Sequence, residues 1–560
     1  MKPNRFYSAF LLAGLVTLAG CASTPPARIE INLVAMNDFH GNLEPSKFTH
    51  TGADGQKVTV LAGGINAVAS AVHAWRAQDP ELVLVGAGDL VGGTPALSSM
   101  WNDEPTINAL NMLGMNFSSV GNHEFDSGRI ELLRKQHGGC QTPRADKACK
   151  LAPDFGGAKF AYLGANVIDK ATGKPFLPAW RIEEVRGVKV GFVGAVLRGT
   201  PLLVLASGIE GLEFADEAES INRVLPEMKA AGATVFVVLI HEGGTTTEPF
   251  DKKNCSQLKG PIVDISKKLD PAVRLVVSGH THTGFLCKVD GRTITQAEYA
   301  GHVLSRIKLT VDPKTRALRD IDVNNVIVKD GDYPVVPAVS EYLATVKQRS
   351  AAALARPVGR LAVRSVDRRL NPAGESPLGG LVADAVLAAT RPHGADIGLI
   401  NSAGVRKELD SSADGVVTYG QVQAVLPFAN TLVVMELTGR QLVEMLEMQW
   451  VRDGVDARHT MLQVSKNFTY QWDFARPRGS RVVPGSLMLN GQPVIADKVY
   501  RVAANNFLAE GGDGFPIFKQ VPKRETGVVD LDAFIDYLAG GALSQPAAFA
   551  APAPRIVRLN

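Results

Sequence analysis

The chain lacks several features that would assign it to a class at once. It has no Cys-x-x-Cys motif, which argues against a thiolate metal site. Charged residues make up 21% and the formal net charge is only +3, so the sequence shows neither global disorder nor a general nucleic-acid-binding surface. It also has no internal repeat and no long low-complexity segment. With 560 residues, 45% of them hydrophobic, it is long enough for two large domains.

The apolar run at residues 6–19 is too short to span a bilayer, and it follows Lys2 and Arg5. It leads into LAGC (18–21), which resembles the lipobox of bacterial lipoproteins. That resemblance implies removal of residues 1–20, lipidation of Cys21 and a tether over 21–28; the alternative is an ordinary secretory signal. Loss of Lys2 and Arg5 lowers the net charge from +3 to +1. By the same resemblance, Ala rather than Asp after Cys21 implies a lipid anchor in the outer membrane of a Gram-negative cell envelope.

Four further cysteines allow three pairings. An exported chain meets oxidising conditions, so disulfides are expected. Cys140 and Cys149 flank a polar loop and are expected to pair locally. Cys255 would then pair with Cys287 across the segment that contains SGHTHTG.

Apolar, β-branched runs alternate with amphipathic stretches in the first half of the chain, which predicts α/β layers. Strands are predicted at 30–36, 81–87, 117–120, 188–196, 234–240 and 273–278, and helices at 65–78 and 217–232. A turn-rich break near 330 is followed by a predicted helix over 338–355, and a second α/β pattern begins near Val358. We therefore predict a first domain over 29–335, a linker helix over 336–356 and a second domain over 357–560.

Polar side chains that can bind metals follow five of these apolar runs. Loops at the carboxyl ends of strands in a layered α/β fold converge on one crevice. Taken singly, such a residue is more simply explained as a helix cap or a hydrogen-bonded strand end. Together they predict one site that contains Asp38, His40, Asp89, Asn122, His123, Asp126, His241, His280 and His282.

The order of these segments, DxH, GD, GNH(E/D), H and GHxH, resembles the calcineurin-like metallophosphoesterase superfamily. That resemblance implies a four-layer αββα domain and two divalent metal ions, of the Zn, Mn, Co or Fe class that such ligands suit. Asp38, His40 and His282 would bind the first ion, and Asn122, His241 and His280 the second. Asp89 would bridge both.

The same resemblance implies attack on phosphorus by a metal-bound hydroxide, in line with the leaving oxygen. His123 would stabilise charge or protonate the leaving group, and Asp126 would orient its ring. As an alternative, Asp126 could cap the helix that follows it. Glu124 is interpreted as a surface or supporting residue.

Three blocks in the second half, INSAGVRKEL (400–409), VLPFANTL (425–432) and NNFLAEGGDGF (505–515), resemble the 5′-nucleotidase/UDP-sugar hydrolase family. By that resemblance Phe428 and Phe507 would sandwich a base, and Asp513 would bind ribose hydroxyls. Asn401 and Arg406 come from an NGGGIR-like block, in which Ala403 replaces a glycine, and Arg406 would meet phosphate or ribose oxygens. The alternative makes both phenylalanines core residues.

An arginine that family members carry before a following helix start could be Arg368 or Arg369, but the spacing assigns neither. The resemblance also implies that the second domain rotates about the linker helix to bring nucleotide to the metals. Together these features predict an exported dinuclear phosphohydrolase that cleaves nucleoside 5′-phosphates. The same chemistry on UDP-sugars, 2′,3′-cyclic nucleotides or nucleoside di- and triphosphates is one alternative. The others are hydrolysis of sulfur esters on a carrier protein, which the Phe pair and Asp513 argue against, and a surface lipoprotein that binds nucleotide without turnover.

Overall fold

The computed structural model describes residues 28–52, 55–142, 144–450, 461–546 and 553–560. Cys21 and the predicted signal lie outside these ranges. Within them, no helix has both the length and the apolar character needed to cross a membrane.

Two mixed sheets form the centre of the first domain. Each contains parallel strands, with antiparallel strands at one edge of the first sheet and at both edges of the second. The first sheet has the spatial order Leu318–Ile327, Val303–Val311, Ile29–Met36, Val83–Ala87, Phe117–Ser119 and Ala161–Leu163. The second has the order Phe285–Val289, Arg292–Gln296, Val273–Ser278, Val235–His241, Val188–Val196 and Trp180–Val185.

The two sheets pack face to face. Their central strands are apolar on both faces, so one face of each sheet can pack against the other sheet and the opposite face against helices. Leu33 and Val85 of the first sheet share one core with Val190, Val237 and Leu275 of the second. The six strands predicted from the sequence all occur, with ends that differ by no more than two residues.

Helices cover the outer face of each sheet. On the first sheet, Val68 and Val72 of Gly64–Gln78 pack with Leu84. On the second, Ile221 and Leu225 lie over Val238. The outer helices are Gly64–Gln78, Ala96–Ser99, Glu104–Leu113, Gly128–His137, Glu217–Ala230 and Pro261–Lys268. The result is the predicted αββα layering.

A long helix, Pro337–Leu354, connects the two halves and begins with proline at its first turn, where a missing N–H costs nothing. Val339, Leu343 and Val346 pack into the core of the first domain. The indole N–H of Trp101 donates to Ser350 Oγ at 2.8 Å. The helix is therefore anchored on the first domain along most of its length.

The second domain contains a five-stranded and a four-stranded sheet among the described residues. The first has the order Leu462–Val464, Ile397–Asn401, Val499–Asn505, Thr431–Thr438 and Lys523–Val529; the second has Gln492–Pro493, Met488–Leu489, Phe468–Trp472 and Ile556–Arg558. Its helices are Pro377–Thr390, Tyr419–Val425, Gly439–Glu447, Asn506–Ala509 and Asp530–Ala539.

Short strand pairs complete both domains. They are Ser46–Thr51 with Lys57–Ala62, Leu212–Phe214 with Val167–Asp169 and Lys174–Pro175, Pro357–Arg360 with Val416–Thr418, and Ser365–Val366 with Leu409–Asp410. Cys140 is bonded to Cys149 and Cys255 to Cys287, which confirms both predicted pairings.

Candidate active site

The segments that leave the carboxyl ends of the parallel strands bend sharply into one crevice. Five polar residues there have left-handed backbone angles: φ is 48° at Asp38, 45° at His40, 50° at Asp89, 76° at His280 and 54° at His282. Such conformations cost about 1–3 kcal/mol each in residues other than glycine and persist where the surroundings enforce them. These five conformations are therefore held by the packing of the loops around the crevice.

The first donor set is compact. His282 Nε2 lies 3.1 Å from His40 Nε2 and 3.3 Å from Asp38 Oδ1. His40 Nε2 is also 3.7 Å from Asp89 Oδ2. Asp38, His40 and His282 thus offer ligand atoms close enough to share one cation.

The second donor set joins the first through Asp89. His241 Nε2 is 2.9 Å from Asp89 Oδ2, and the rings of His241 and His280 are 5.3 Å apart. Asp89, His241 and His280 form a second group that could hold a cation. Asn122, from the next strand end, is buried beside them.

Two buried atoms show that a cation fits this cluster. Asn122 Oδ1 lacks a hydrogen-bond partner among the described residues, and His241 Nε2 meets only carboxylates, Asp89 at 2.9 Å and Asp38 at 3.9 Å. Buried polar atoms are normally satisfied, and an orphan calls for an explanation. Both carry a lone pair that a divalent metal accepts, and both belong to the predicted second donor set.

Backbone carbonyls fix the orientation of two of the imidazoles. Nδ1 of His40 lies 2.8 Å from Gly92 O, and Nδ1 of His241 lies 2.8 Å from Ala87 O. A carbonyl only accepts, so each Nδ1 carries the proton. With a cation in the cluster, each Nε2 would therefore be the atom that offers a lone pair, which is the usual arrangement of metal-binding histidines.

Protonation of the cluster is strongly perturbed. Burial lowers the pKa of His40 and of His280 to about 3, so both rings are neutral at pH 7. Burial would lower the pKa of His241, but the carboxylates of Asp89 and Asp38 raise it to about 10. Burial would raise the pKa of Asp89, yet His241 and His123 hold it well below its usual value. Asp38 and Asp89 therefore favour a positive charge on the group that lies between them, whether a protonated His241 or a cation.

Glycine is required where the strand ends meet. A Cβ on Gly121 would lie 2.1 Å from Asp89 Oδ1, and one on Gly88 would lie 2.7 Å from His241 Nδ1. Both distances are far below van der Waals contact. The glycines beside the ligands therefore serve the close approach of the loops.

His123 and Asp126 form a pair at the edge of the cluster. His123 Nδ1 lies 2.8 Å from Asp126 Oδ2, and Asp126 also accepts from the Gly93 N–H at 3.1 Å. Helix Gly128–His137 begins after Ser127 without a side-chain cap. Asp126 thus faces His123 rather than capping the helix. Burial would lower the pKa of His123, but Asp126 and Asp89 raise it above its usual value.

Glu124 is buried, so its interpretation as a surface residue was wrong and its interpretation as a supporting residue stands. It is 1% exposed. Oε2 accepts from the N–H groups of Gly121 at 2.6 Å and Asp89 at 2.9 Å, and Oε1 accepts from Leu90 at 2.8 Å. One buried carboxylate therefore ties together the two loops that carry Asp89 and Asn122. Motif spacing gave no sign of this, since the acceptor role depends on a neighbouring loop.

Residues of the second domain lie directly against this site. The rings of His123 and Phe428 are 5.8 Å apart with an interplanar angle of 11°, and the Arg406 guanidinium lies 5.8 Å from the Phe428 centroid. Burial lowers the pKa of Arg406, and the charge of Arg368 lowers it further.

A polar chain lies on the far side of the same space. Asn401 Nδ2 donates to Asp513 Oδ2 at 2.7 Å, and Asn505 Nδ2 donates to Asn401 Oδ1 at 3.0 Å. Phe507 is half-buried against Gly512, where an added Cβ would lie 2.4 Å from its ring. Asn505 was missed at the sequence level because its contact is made only in the folded domain.

One cavity of about 950 Å³ connects these groups. Of the predicted residues, its lining includes Asp89, Asn122, His123, Asp126, His280, His282, Asn401, Arg406, Phe428, Phe507 and Asp513. Asp38, His40 and His241 lie behind this lining, within the buried cluster. Both phenylalanines are half-buried and face the cavity, so neither is a simple core residue.

Arg368 and Arg369, between which the sequence could not decide, do not line the cavity. Arg369 forms an exposed ion pair with Asp367 at 2.6 Å. Arg368 is exposed too, but its charge reaches Arg406 and Tyr299. Arg368 is therefore the one nearer the site.

Two further neighbours of the ligands escaped sequence reasoning. Tyr299 stacks on His282 with ring centroids 4.9 Å apart at 11°. Asn37 donates to Asp38 Oδ2 at 2.7 Å and accepts from the Ala297 N–H at 2.7 Å. Both hold first-set ligands in place, and no spacing rule points to either.

Comparison with known proteins agrees with this geometry. Residues 31–284 match the calcineurin-like phosphoesterase family, and residues 356–520 match the 5′-nucleotidase C-terminal domain. The chain belongs to the 5′-nucleotidase family. It is accordingly a metal-dependent phosphoester hydrolase.

Three similar proteins cover nearly the whole chain. Endonuclease YhcR of Bacillus subtilis is 29% identical over 518 residues, which are 92% of this chain and 40% of that protein. Cell wall protein Lmo0130 of Listeria monocytogenes is 29% identical over 576 positions, covering 96% and 72% of the two chains. The structure of a 5′-nucleotidase precursor from Thermus thermophilus shares 28% identity with a TM-score of 0.72, covering 95% of this chain and 100% of that one. This chain thus spans less than half the length of the first of these relatives.

Proposed function

We propose that this protein is an exported hydrolase that uses two divalent cations to convert nucleoside 5′-phosphates into nucleoside and phosphate. One observation carries the proposal: the Asp, His and Asn cluster opens into the same cavity as Phe428, Phe507 and Asp513. A nucleotide bound between the domains would therefore have its phosphate at the cluster. A binding protein without turnover would not need the His123–Asp126 pair beside it.

The donor sets support two cations rather than one. Asp38, His40 and His282 would hold one ion, and Asn122, His241 and His280 the other, with Asp89 between them. When bound, the ions would lower the pKa of water and neutralise the charge of the phosphate. Since only Asp38 and Asp89 bring negative charge to this set, the occupied site would keep a formal charge of about +2 and attract phosphate.

His123 and Asp126 would complete the chemistry at the leaving oxygen. Asp126 binds Nδ1 of His123, so Nε2 is the atom free to meet the substrate. Because the two carboxylates raise its pKa, His123 carries a proton more readily than an isolated imidazole and can donate it to the departing alkoxide.

The second domain would hold the nucleoside. Phe428 and Phe507 offer rings for stacking on a base, a contact worth about 1–3 kcal/mol. Asp513, fixed by Asn401, would accept from ribose hydroxyls. Arg406 lies beside Phe428, and both it and His123 are near Gly93, so its planar donors would meet phosphate oxygens there.

Other phosphate esters are alternative substrates for the same metal ligands and the His123–Asp126 pair. The cavity has room for UDP-sugars, 2′,3′-cyclic nucleotides or nucleoside di- and triphosphates, and a relative is named an endonuclease. We favour small nucleotides over polymers because the site is a recessed pocket between domains, and the net charge of +3 provides no extended basic surface.

A substrate panel tests the proposal. Metal-stripped protein, reconstituted with Mn²⁺ or Zn²⁺, would be incubated with each substrate and all products separated by chromatography, because the first cleavage of UDP-glucose, a cyclic nucleotide or DNA releases no free phosphate. The substrates would be AMP, ATP, UDP-glucose, 2′,3′-cyclic AMP, p-nitrophenyl phosphate and single-stranded DNA. We expect AMP to have the highest kcat/KM. Preference for DNA or a cyclic nucleotide would replace the proposed substrate, and turnover of p-nitrophenyl phosphate alone would refute the nucleotide clamp.

Export and a lipid anchor at Cys21 form the second part of the proposal. Two disulfides are consistent with an oxidising compartment, and a relative of the chain is named a cell wall protein. Expression in a Gram-negative host with radiolabelled palmitate should label the wild type and leave Cys21→Ser unlabelled. Equal labelling of both would contradict the anchor.

A further inference from the structure

The cavity continues beyond the residues assigned above. Past Gly93 and Thr94 it is lined by Asn102, Asp103, Lys135, Arg144 and Lys147, which we call the cationic lobe. Gly93 marks the junction, because a Cβ placed there would lie 3.5 Å from the His123 ring and 3.6 Å from the Phe428 ring. The lobe therefore opens beside both the proposed proton donor and the proposed base clamp.

Positive charge in this lobe is not fully compensated. Asp103 forms an ion pair with Lys135 at 3.2 Å and accepts hydrogen bonds from the hydroxyls of Thr94 at 2.6 Å and Ser98 at 2.9 Å. Arg144 pairs with the exposed Asp146 at 3.3 Å. Lys147 Nζ has no hydrogen-bond or ion-pair partner among the described residues, although the side chain is half-buried. Burial, and then the charge of Arg144, lower its pKa to about 8.

Residues 144–149, which include Lys147, are anchored at Cys149. Cys149 is bonded to Cys140. The Cys149 N–H donates to both oxygens of Glu104 at 3.0 and 3.1 Å, and Glu104 is itself paired with buried Arg134 at 2.8 Å. The backbone that carries Lys147 is thus fixed before a ligand arrives, so only the lysine side chain has to be ordered on binding, which favours a specific site.

We propose that the cationic lobe is a second phosphate-binding subsite, for a phosphate group other than the one that is hydrolysed. The inference rests on the proposed function for the identity of the reacting phosphate. The cavity volume lies near the top of the roughly 300–1,000 Å³ range of small-molecule sites, which leaves room beyond a nucleoside and one phosphate. A bound phosphate would compensate the half-buried charge of Lys147 and accept hydrogen bonds from its amine. The ligand is either the second phosphate of a doubly phosphorylated nucleotide or inorganic phosphate.

A binding measurement tests the subsite independently of turnover. Metal-free protein would be treated with pyridoxal 5′-phosphate and borohydride, with and without pyrophosphate, and the labelled lysines mapped by peptide mass spectrometry. We expect Lys147 to be labelled at least fivefold faster than exposed Lys150 of the same loop, and pyrophosphate to protect it. Equal labelling of the two lysines without protection would overturn the subsite, whatever the enzyme hydrolyses.

Kinetics then identify the source of the phosphate. For Lys147→Gln, kcat/KM for ADP and for adenosine 3′,5′-bisphosphate, each divided by the value for AMP, should fall at least fivefold. Lys150→Gln is the matched control and should leave these ratios unchanged. If only the inhibition constant of inorganic phosphate rises at least fivefold, the lobe binds product phosphate. If Lys147→Gln alters neither the ratios nor that constant, the proposal is wrong.

Discussion

His123 of the first domain and Phe428 of the second are stacked nearly parallel, with ring centroids 5.8 Å apart. This contact brings the proposed proton donor and the proposed base clamp together across the domain boundary. Two hydrogen bonds support the same closure: Gln423 Nε2 donates to Ser99 Oγ at 2.8 Å, and the Ser207 N–H donates to Glu510 Oε2 at 3.0 Å. In this arrangement a nucleotide held by the second domain, as proposed, would reach the metal ligands of the first.

Removal of the His123 imidazole should abolish most turnover. General acid catalysis contributes about 10²–10⁴-fold, so we expect His123→Ala to lower kcat for AMP by that factor while the metal content stays unchanged. Exposed His137→Ala is the control. A His123→Ala variant that retains full kcat would show that another group assists the leaving oxygen.

The leaving group offers a sharper test of the same role. p-Nitrophenolate departs without protonation, so His123→Ala and Asp126→Asn should lose far less activity on p-nitrophenyl phosphate than on AMP. Equal losses on both substrates would indicate charge stabilisation instead of proton donation.

Truncation of either clamp phenylalanine should weaken nucleotide binding. With stacking worth about 1–3 kcal/mol per base, Phe507→Ala should raise KM for AMP by roughly 5- to 150-fold. Phe474, which is 49% exposed and does not line the cavity, supplies the control Phe474→Ala. A KM for AMP that is unchanged in Phe507→Ala would place the base elsewhere.

Glu124 should act through the metal centre. Its carboxylate accepts from the N–H groups of Gly121, Asp89 and Leu90, and an amide has only one acceptor oxygen to replace two. We expect Glu124→Gln to lose about 10–100-fold in metal affinity, with activity partly restored by excess Mn²⁺. Half-buried Glu510 and exposed Glu525 would be unsuitable controls because both accept hydrogen bonds, whereas exposed Glu408→Gln is a suitable one. Activity that excess metal fails to restore would refute a role in holding the ligands.

Asp530 should make the stability of the second domain depend on pH. It is 2% exposed at the start of helix Asp530–Ala539, and burial raises its pKa to about 7. A carboxyl whose pKa is higher in the folded state is stabilising only while protonated, so its contribution is lost as pH rises from about 4 through about 7. The full effect amounts to roughly 4 kcal/mol.

Asp530→Asn removes this titration and keeps an oxygen for the Leu531 N–H. The melting temperature of the variant, measured in EDTA, should match the wild type near pH 4 and exceed it at pH 8. Exposed Asp536→Asn on the same helix is the control. A difference that is constant from pH 4 to pH 8 would show that Asp530 does not titrate as stated.

The sequence predicted those parts of the site that follow from local pattern. Each proposed metal ligand ends a buried strand or lies within four residues of its end, so strand prediction brought Asp38, Asp89 and His280 to one crevice. Glu124, Tyr299 and Asn505 could not be found this way, because their contacts are with loops distant in sequence. The cationic lobe could not be predicted from the sequence for the same reason. Lys147 reaches the cavity because Cys149, two residues on, is bound to Glu104, which is distant in sequence.

The most direct test of the central proposal is a titration of metal-free protein with Mn²⁺ that follows bound metal and phosphate release from AMP together. We predict that turnover appears only as a second ion binds to each chain, and that Asp89→Asn prevents both the second binding event and turnover. Full activity with a single bound ion, or two bound ions with no release of phosphate from AMP, would contradict the proposed function.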